Sequence, residues 1–439
     1  MKRSIVLSVA FVLITGGGIA HANPVDAFGF GARAVGMSGA MTASAEGFSA
    51  SHYNPAALAL DNRLRIELGY AYMHPNLELN DEDLGVDAHR GFQGGFVLAG
   101  DLYEHTVAFA LSLFLPDRLI TRVRALPERQ PRFVMYDNRP QRLVLSASLA
   151  VEIVEGLTIG ATLSFLSHTK GQLDVSGLVG FTDSDETQLR TGVVEDLVAV
   201  RYPTIGVHYS PTPEMKLGVT FREEFALELG LEVIVGGDIV EDGETTLTDA
   251  SFAMASDSQT LFSPRQLAVG WAWDTGCWQV SADITWAQWS RFPTPTATVT
   301  MSLDLPGLPV ELPPPDTPLP PQFHDIFIPR IGIETSALSH PVFELKVRGG
   351  YAYEPSPVPA QQGRTNYADT DKHSFSAGLG LTLHILESIL PEPIEIDVAT
   401  QFIYLPSVVT TKSDPADPTG DYIADGWWLG GALTARLLF

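Results

Sequence analysis

The chain has 439 residues, of which 45% are hydrophobic and only 18% charged, and its formal net charge is −25. This acidic balance excludes nucleic acid as a partner, because binding its phosphates requires basic patches. A single cysteine, Cys277, excludes a disulfide framework within the chain. Beyond the N-terminal segment no run of about 18 uncharged apolar residues occurs, so a helical membrane protein is also excluded.

The N-terminal segment has the layout of an export signal. Two basic residues precede an apolar stretch over 5–14, and a small-residue site ends at Ala22. This order is typical of a signal peptide, so we predict that residues 1–22 are removed. An exported chain without apolar helices is either soluble or a β-barrel, because closed barrels also satisfy every backbone group in lipid.

Residues 23–62, which we call the hatch segment, are rich in glycine, alanine and serine and show no strand alternation. They precede the first strand and cannot belong to a barrel wall. A segment of about 40 residues is long enough for a small plug. We therefore predict three parts: a signal peptide over 1–22, a hatch over 23–62 and a barrel over 63–439.

From residue 63 onward, short segments alternate between apolar and small or polar residues, which is typical of transmembrane strands. The alternation is clearest in 156–168 and 374–385. The same pattern predicts fourteen strands, near 63–73, 89–99, 105–115, 142–152, 156–168, 199–209, 214–224, 264–274, 277–288, 327–337, 342–353, 374–385, 394–404 and 428–439. The predicted fold class is therefore all-β, a transmembrane antiparallel β-barrel of about 14 strands.

The connections between these strands alternate in length. The long ones are 74–88, 116–141, 169–198, 225–263, 289–326, 354–373 and 405–427, and each of the others is short. Bacterial outer-membrane barrels have short turns in the periplasm and long loops outside, so both termini should be periplasmic. A soluble β-sandwich or propeller gives no reason for this alternation. We therefore place the chain in the bacterial outer membrane.

Motifs spread along the chain resemble those of one family. They are Gly29 to Ala40 (GFGARAVGMSGA), Asn54-Pro55-Ala56, Asp283 to Ser290, Arg348-Gly349-Gly350-Tyr351, Ser356-Pro357, Asp371-Lys372-His373, Gly378 and Asp397. Together they resemble the outer-membrane long-chain fatty acid and aromatic hydrocarbon transporters of the FadL/TodX type. The resemblance implies a fourteen-stranded barrel plugged by an N-terminal hatch, which agrees with the strand count. The C-terminal Phe439 also resembles the signal that the barrel-assembly machinery reads.

The resemblance implies passive uptake of hydrophobic compounds, with long-chain fatty acids as the leading cargo and aromatic or other neutral hydrocarbons as the alternative. The ligand would be captured by the outer loops, enter a pocket gated by the hatch and leave sideways through the wall. Sideways release agrees with the roughly 0.8 kcal/mol per CH₂ that an apolar tail loses on entering water. A general porin and a structural or adhesive barrel are weaker alternatives, the porin because a hatch obstructs a pore.

The residues show no persuasive Ser/His/acid set, so we predict that the chain is not an enzyme. We also expect no cofactor, no metal site and a monomer. Asn54, Pro55 and Ala56 are predicted to couple hatch movement to the ligand pocket, since the family places this motif there. The Asn-Pro pair also favours a turn, and the two roles are compatible.

Charged residues at inward-facing positions include Arg330, Lys346 and Arg348. Most such charges should form salt bridges inside the lumen. A fatty acid carboxylate needs an unpaired cation, and arginine offers a bidentate fork. Arg348 and Lys346 are predicted to bind that carboxylate.

Four further features lie in the connections and in the strands. The connection 116–141 has a basic patch predicted to contact lipopolysaccharide phosphates or to capture anionic ligands, comprising Arg118, Arg122, Arg124 and Arg129. Apolar residues of 225–263 should line an outer groove or extend the seventh strand above the membrane. Trp427 and Trp428 are placed where an interfacial aromatic girdle is expected, and Gly91, Gly94 and Gly95 permit close approach of the hatch or a gap in the wall.

Overall fold

The computed structural model describes most of the chain. The described residues are 25, 28–103, 105–117, 131–136, 143–167, 169–179, 187–197, 199–241, 244–294, 298–304, 319–363, 365–384, 392–412, 417 and 419–439. The predicted signal peptide lies outside them, as does the predicted basic patch of Arg118, Arg122, Arg124 and Arg129. Within the described ranges, no helix is both long and apolar enough to cross a membrane.

Strands dominate the described residues. In chain order they are β1 (Arg65–Leu79), β2 (Glu82–Asp83), β3 (His89–Leu102), β4 (His105–Pro116), β5 (Val144–Val154), β6 (Leu157–Leu166), β7 (Thr169–Val179), β8 (Thr187–Leu197), β9 (Val200–Tyr209), β10 (Met215–Arg222), β11 (Phe225–Glu241), β12 (Glu244–Ser263), β13 (Gln266–Asp274), β14 (Trp278–Ala287), β15 (Thr298–Asp304), β16 (Ile326–His340), β17 (Phe343–Glu354), β18 (Lys372–Leu383), β19 (Ile394–Thr410) and β20 (Tyr422–Leu438).

Fourteen of these strands form one closed antiparallel barrel: β1, β3–β6, β9, β10, β13, β14 and β16–β20. β1 closes the ring, because it pairs with β20 on one side and with β3 on the other. The predicted fold class of a fourteen-stranded antiparallel barrel is confirmed. Closure leaves no unpaired strand edge, which is the condition for a sheet to stand in lipid.

The alternation in the sequence corresponds to the two faces of the wall. In β6, Thr158 and Thr162 are buried toward the lumen, whereas Ile159 and Leu163 are 42% and 53% exposed on the outer face. Short turns such as 155–156 lie at one end of the barrel and long connections at the other. The apolar outer face suits hydrocarbon, and the end with short turns is the periplasmic one.

Strands also occur within the long connections. β7, β8, β11, β12 and β15 form a second sheet in the order β15-β12-β11-β8-β7. β11 begins at Phe225, just after β10 ends at Arg222, and β12 leads in the same way into β13. The wall therefore continues beyond the ring, as predicted for the seventh strand. The sequence pattern gave no strands in 169–198 or 289–326, which contain β7, β8 and β15.

Residues 28–62 of the hatch segment lie inside the barrel as short helical turns. These are an α-helix over Ala32–Gly36, a 3-10 helix over Gly47–Ser49, an α-helix over Ala50–Tyr53 and a 3-10 helix over Pro55–Leu60. Ala57 and Ala59 pack with Ala108 on β4 and Ala150 on β5. Small residues on both sides of this contact allow the hatch backbone to approach the wall closely.

Glycines on the lumen face of the wall allow the same close approach. A Cβ atom at Gly160 would overlap the backbone of Pro55, and one at Gly350 would overlap the backbone of Met37. Any larger side chain at Gly160 or Gly350 would therefore displace the hatch from the wall.

Candidate functional site

The Asn54-Pro55-Ala56 motif is a buried junction between hatch and wall. Asn54 is fully buried, and its Oδ1 accepts a hydrogen bond from the Ala56 N–H at 3.1 Å. Its Nδ2 donates to the carbonyl of Thr42 at 2.8 Å and to the carbonyl of Val207 on β9 at 3.1 Å. Pro55 suits the first position of the 3-10 helix, where no N–H donor is needed. One amide side chain thus joins two parts of the hatch to the barrel.

A group of buried charges joins the hatch to the periplasmic half of the wall, and we call it the periplasmic charge network. Arg33 pairs with Glu334 of β16 at 3.0 Å, and Glu46 pairs with Arg436 of β20 at 3.1 Å. Arg436 also lies 3.0 Å from Glu67 of β1. Burial alone would raise the pKa of Glu46, but Arg33 and Arg436 outweigh it and hold that pKa well below its ordinary 4.5.

Both cations predicted to bind a carboxylate lie at this network. Arg348 is buried between Glu334 and Asp397 and forms salt bridges to both. Lys346 is half-buried and borders a polar cavity of about 350 Å³ that Glu46, Glu334 and Asp397 also line. An incoming carboxylate would meet the negative charge of these acids. Arg348 is thus paired with carboxylates of the protein, and Lys346 shares a cavity with them.

A larger cavity lies on the extracellular side of the hatch, and we call it the central cavity. Its empty volume is about 1260 Å³, counting its open mouth, and Trp289, Ile328, Ile403 and Trp428 form its apolar surface. Trp428 is almost fully buried. It therefore faces the lumen instead of the interfacial girdle expected for it, whereas the adjacent Trp427 is 36% exposed.

Arg330 of β16 also lines the central cavity, and its guanidinium has a different environment from that of Arg348. Its Nη1 donates to the Thr285 hydroxyl at 2.7 Å, and among the described residues it has no salt bridge. Its cross-strand neighbour Asp283 accepts a hydrogen bond from the Thr42 N–H of the hatch at 2.8 Å. Arg330 thus presents a cation to a cavity whose lining combines apolar side chains with Asp283, Glu354 and Lys372.

The central cavity is electropositive near the hatch helix Ala50–Tyr53. The Arg222 guanidinium donates to the backbone carbonyl of His52 at 2.6 Å. Burial lowers the pKa of the His52 imidazole well below its ordinary 6.5, and the positive charges of Arg222 and Arg330 lower it further. The low pKa leaves His52 uncharged, so the positive charge beside this helix belongs to Arg222 and Arg330.

The segment 131–136 covers the extracellular side of the cavity. Its Phe133 and Met135 are almost fully buried, and the Tyr136 ring packs edge-on against Trp428 with centroids 4.8 Å apart. The Lys372 ammonium donates to the Tyr136 hydroxyl at 2.8 Å and pairs with Glu354 at 3.0 Å. The charge of Lys372 is therefore compensated by Glu354, whereas Arg330 has no salt bridge among the described residues.

A depression on the outer face of the wall lies where β1, β3 and β4 meet. It has an empty volume of about 900 Å³, counting its open side, and its lining includes Leu68, Gly94, Gly95 and Leu113. A Cβ atom at Gly95 would lie 3.0 Å from the Cβ of Phe48. The buried Phe48 side chain of the hatch thus lies directly behind Gly95, where the wall has no side chain.

The comparison with family models identifies the chain's family. Residues 12–435 match the family described as "Outer membrane protein transport protein (OMPP1/FadL/TodX)". Since the match covers nearly the whole chain, the protein belongs to this family of outer-membrane transport proteins.

Individual relatives are more distant. Alkane uptake protein A of Marinobacter nauticus is 22% identical over 416 residues, which cover 89% of this chain and 86% of that protein. A FadL homologue of Pseudomonas aeruginosa has a TM-score of 0.59 at 17% identity and covers 93% of this chain and 98% of its own. The toluene transporter TodX of Pseudomonas putida has a TM-score of 0.52 at 14% identity, with 92% and 96% covered. These structural likenesses show the fold.

Proposed function

We propose that this protein mediates passive uptake of hydrophobic compounds across the outer membrane and that long-chain fatty acids are its leading cargo. The main support for this proposal is the central cavity. Its tryptophan and isoleucine side chains form an apolar surface beside the Arg330 guanidinium. An amphiphile with a carboxylate and a long tail matches both features, because an arginine binds a carboxylate through two parallel hydrogen bonds. We assign the head-group role to Arg330 in place of Arg348 and Lys346, which face carboxylates.

The proposed route begins at the outer loops and enters the central cavity. The hatch then moves about the Asn54 junction, and the cargo leaves sideways into the membrane. The depression at Gly94 and Gly95 supports an exit at β1, β3 and β4, since its outer lining is apolar and Phe48 of the hatch lies behind it. Arg118, Arg122, Arg124 and Arg129 remain proposed for capture of anionic ligands or for contact with lipopolysaccharide.

Replacing Arg330→Met tests the proposed cargo. Methionine keeps the apolar length of the side chain but removes charge-assisted hydrogen bonds, so oleate uptake by whole cells should fall roughly tenfold or more. Uptake of hexadecane should stay within about twofold, because a neutral alkane gains no hydrogen bond from the guanidinium. The control is Arg201→Met, which removes an exposed arginine from β9. Wild-type uptake of oleate by R330M would remove Arg330 from the proposal.

Neutral alkanes are the second proposed cargo. The relative named Alkane uptake protein A supports them, as does the apolar surface of the central cavity. The same pair of probes separates the two cargoes. Hexadecane uptake without oleate uptake by the wild-type protein would favour the alkane, and rapid swelling of liposomes with sugars would contradict both.

A further inference from the structure

A second chamber in the lumen lies beside the central cavity. Its empty volume is about 330 Å³, counting its open side, and side chains of β4, β5, β6, β9 and β10 form it together with the hatch. Phe30, Phe114 and Tyr202 are buried there and belong to one apolar cluster. The chamber therefore has an aromatic surface on two sides, one from the hatch and one from the wall.

The lining of this second chamber shares residues with the lining of the central cavity and with that of the wall depression. Val25, His52 and Arg222 line both the central cavity and the second chamber. Leu113 lines both the second chamber and the depression. These shared residues place the chamber next to both, where it can serve as an intermediate position on the proposed route.

Two buried hydroxyl groups of the second chamber have no hydrogen-bond partner among the described residues. They are Ser51 Oγ of the hatch and Ser112 Oγ of β4, and both residues are about 98% buried or more. Neighbouring hydroxyls of the same wall are satisfied, since Ser146 and Ser164 bond to each other at 2.8 Å. A buried hydroxyl without a partner costs free energy, so a ligand oxygen would gain most at Ser51 and Ser112.

We propose that the second chamber is a relay site for the oxygen-bearing end of an amphiphile, a carboxylate or an alcohol, on its way from the central cavity to the wall. The proposal rests on the proposed function and adds a binding step to it. Ser51 and Ser112 donate to the head-group oxygen, and Arg222, at the boundary of the two chambers, attracts a carboxylate from the Arg330 side. The aromatic side chains hold the first carbons of the tail.

Three probes of equal chain length test this step in whole cells: decanoate, decanol and decane. The double variant Ser51→Ala with Ser112→Ala removes both donors, so uptake of decanoate and of decanol should fall about fivefold. Decane uptake should stay within about twofold, because an alkane accepts no hydrogen bond. The matched control is Ser148→Ala, a buried serine of β5 whose hydroxyl already bonds to Thr162 at 2.8 Å and which lines neither chamber.

A second variant, Ser112→Leu, fills the chamber. It should block uptake of all three probes if the chamber lies on the route, and the heat-dependent gel mobility of the barrel verifies that the variant has folded. Normal decanoate uptake by the double variant would show that the chamber holds water only, and normal uptake by S112L would place it off the route. Either result would overturn the relay site, whereas failure of the wild-type protein to take up oleate and hexadecane would overturn the proposed function itself.

Discussion

The two halves of the lumen use arginine differently. In the periplasmic half, Arg33, Arg348 and Arg436 each contact carboxylates that come from the wall or the hatch. In the extracellular half, Arg330 donates to a threonine hydroxyl beside an apolar cavity. A guanidinium already neutralised by the protein stabilises the closed structure, because a buried ion pair is costly to break. One that bonds to a neutral oxygen can exchange this contact for a ligand.

The largest effect is expected for a substitution in the periplasmic charge network. Arg348→Met leaves Glu334 and Asp397 buried without that cation, which should lower the free energy of unfolding by about 3–5 kcal/mol. Thermal unfolding of the purified protein measures the loss, and liposome swelling with sugars should rise as the hatch loosens. Arg63→Met, which removes a partly exposed arginine at the periplasmic end, is the control. An unchanged unfolding temperature for R348M would show that the network does not stabilise the hatch.

A smaller effect is expected at the neutral junction between hatch and wall. Asn54→Ala removes three hydrogen bonds and leaves the carbonyls of Thr42 and Val207 without this donor. The free energy of unfolding should fall by about 2–3 kcal/mol, less than for a buried ion pair. The comparison variant is Asn62→Ala, at an exposed asparagine just beyond the last hatch helix. Equal unfolding temperatures for the two variants would contradict a junction role for Asn54.

The smallest expected effect sharpens the assignment of the head-group site. Lys346 is half-buried beside Glu46, Glu334 and Asp397. Lys346→Ala should therefore change oleate uptake by less than about twofold, because the surrounding acids repel an anionic ligand. Oleate uptake kinetics of K346A, measured side by side with those of R330M, test this assignment. A loss of oleate uptake as large as that of R330M would assign carboxylate binding to the periplasmic charge network instead.

The barrel could be predicted because its pattern is local. Each strand shows alternation over about ten residues, and connection length needs only the strand positions. The strand ends were less accurate. β19 reaches Thr410 and β20 begins at Tyr422, where the predictions ended at 404 and began at 428. Pairing continues above the membrane, where water replaces lipid and the outer face no longer has to be apolar.

The chemistry of the lumen was harder to predict because it depends on distant partners. Alternation correctly places Arg348 and Arg330 on the inner face, and it treats them alike. Their difference arises from the register of β16 with its neighbours and from the distant hatch, which supplies Arg33 to Glu334 across 301 residues and Thr42 to Asp283 across 241. The spacing of residues in the sequence does not show which carboxylate contacts the hatch.

The contacts of β20 have a consequence for the order of assembly. Thr434 of this last strand accepts a hydrogen bond from the Ala32 N–H, and its neighbour Arg436 pairs with Glu46. The first and last segments of the chain therefore meet inside the ring that β1 and β20 close. A hatch left outside at closure would have to enter the finished ring through its periplasmic mouth. The hatch contacts both β1 and β20 across this seam, so its full set of contacts forms only when the barrel closes.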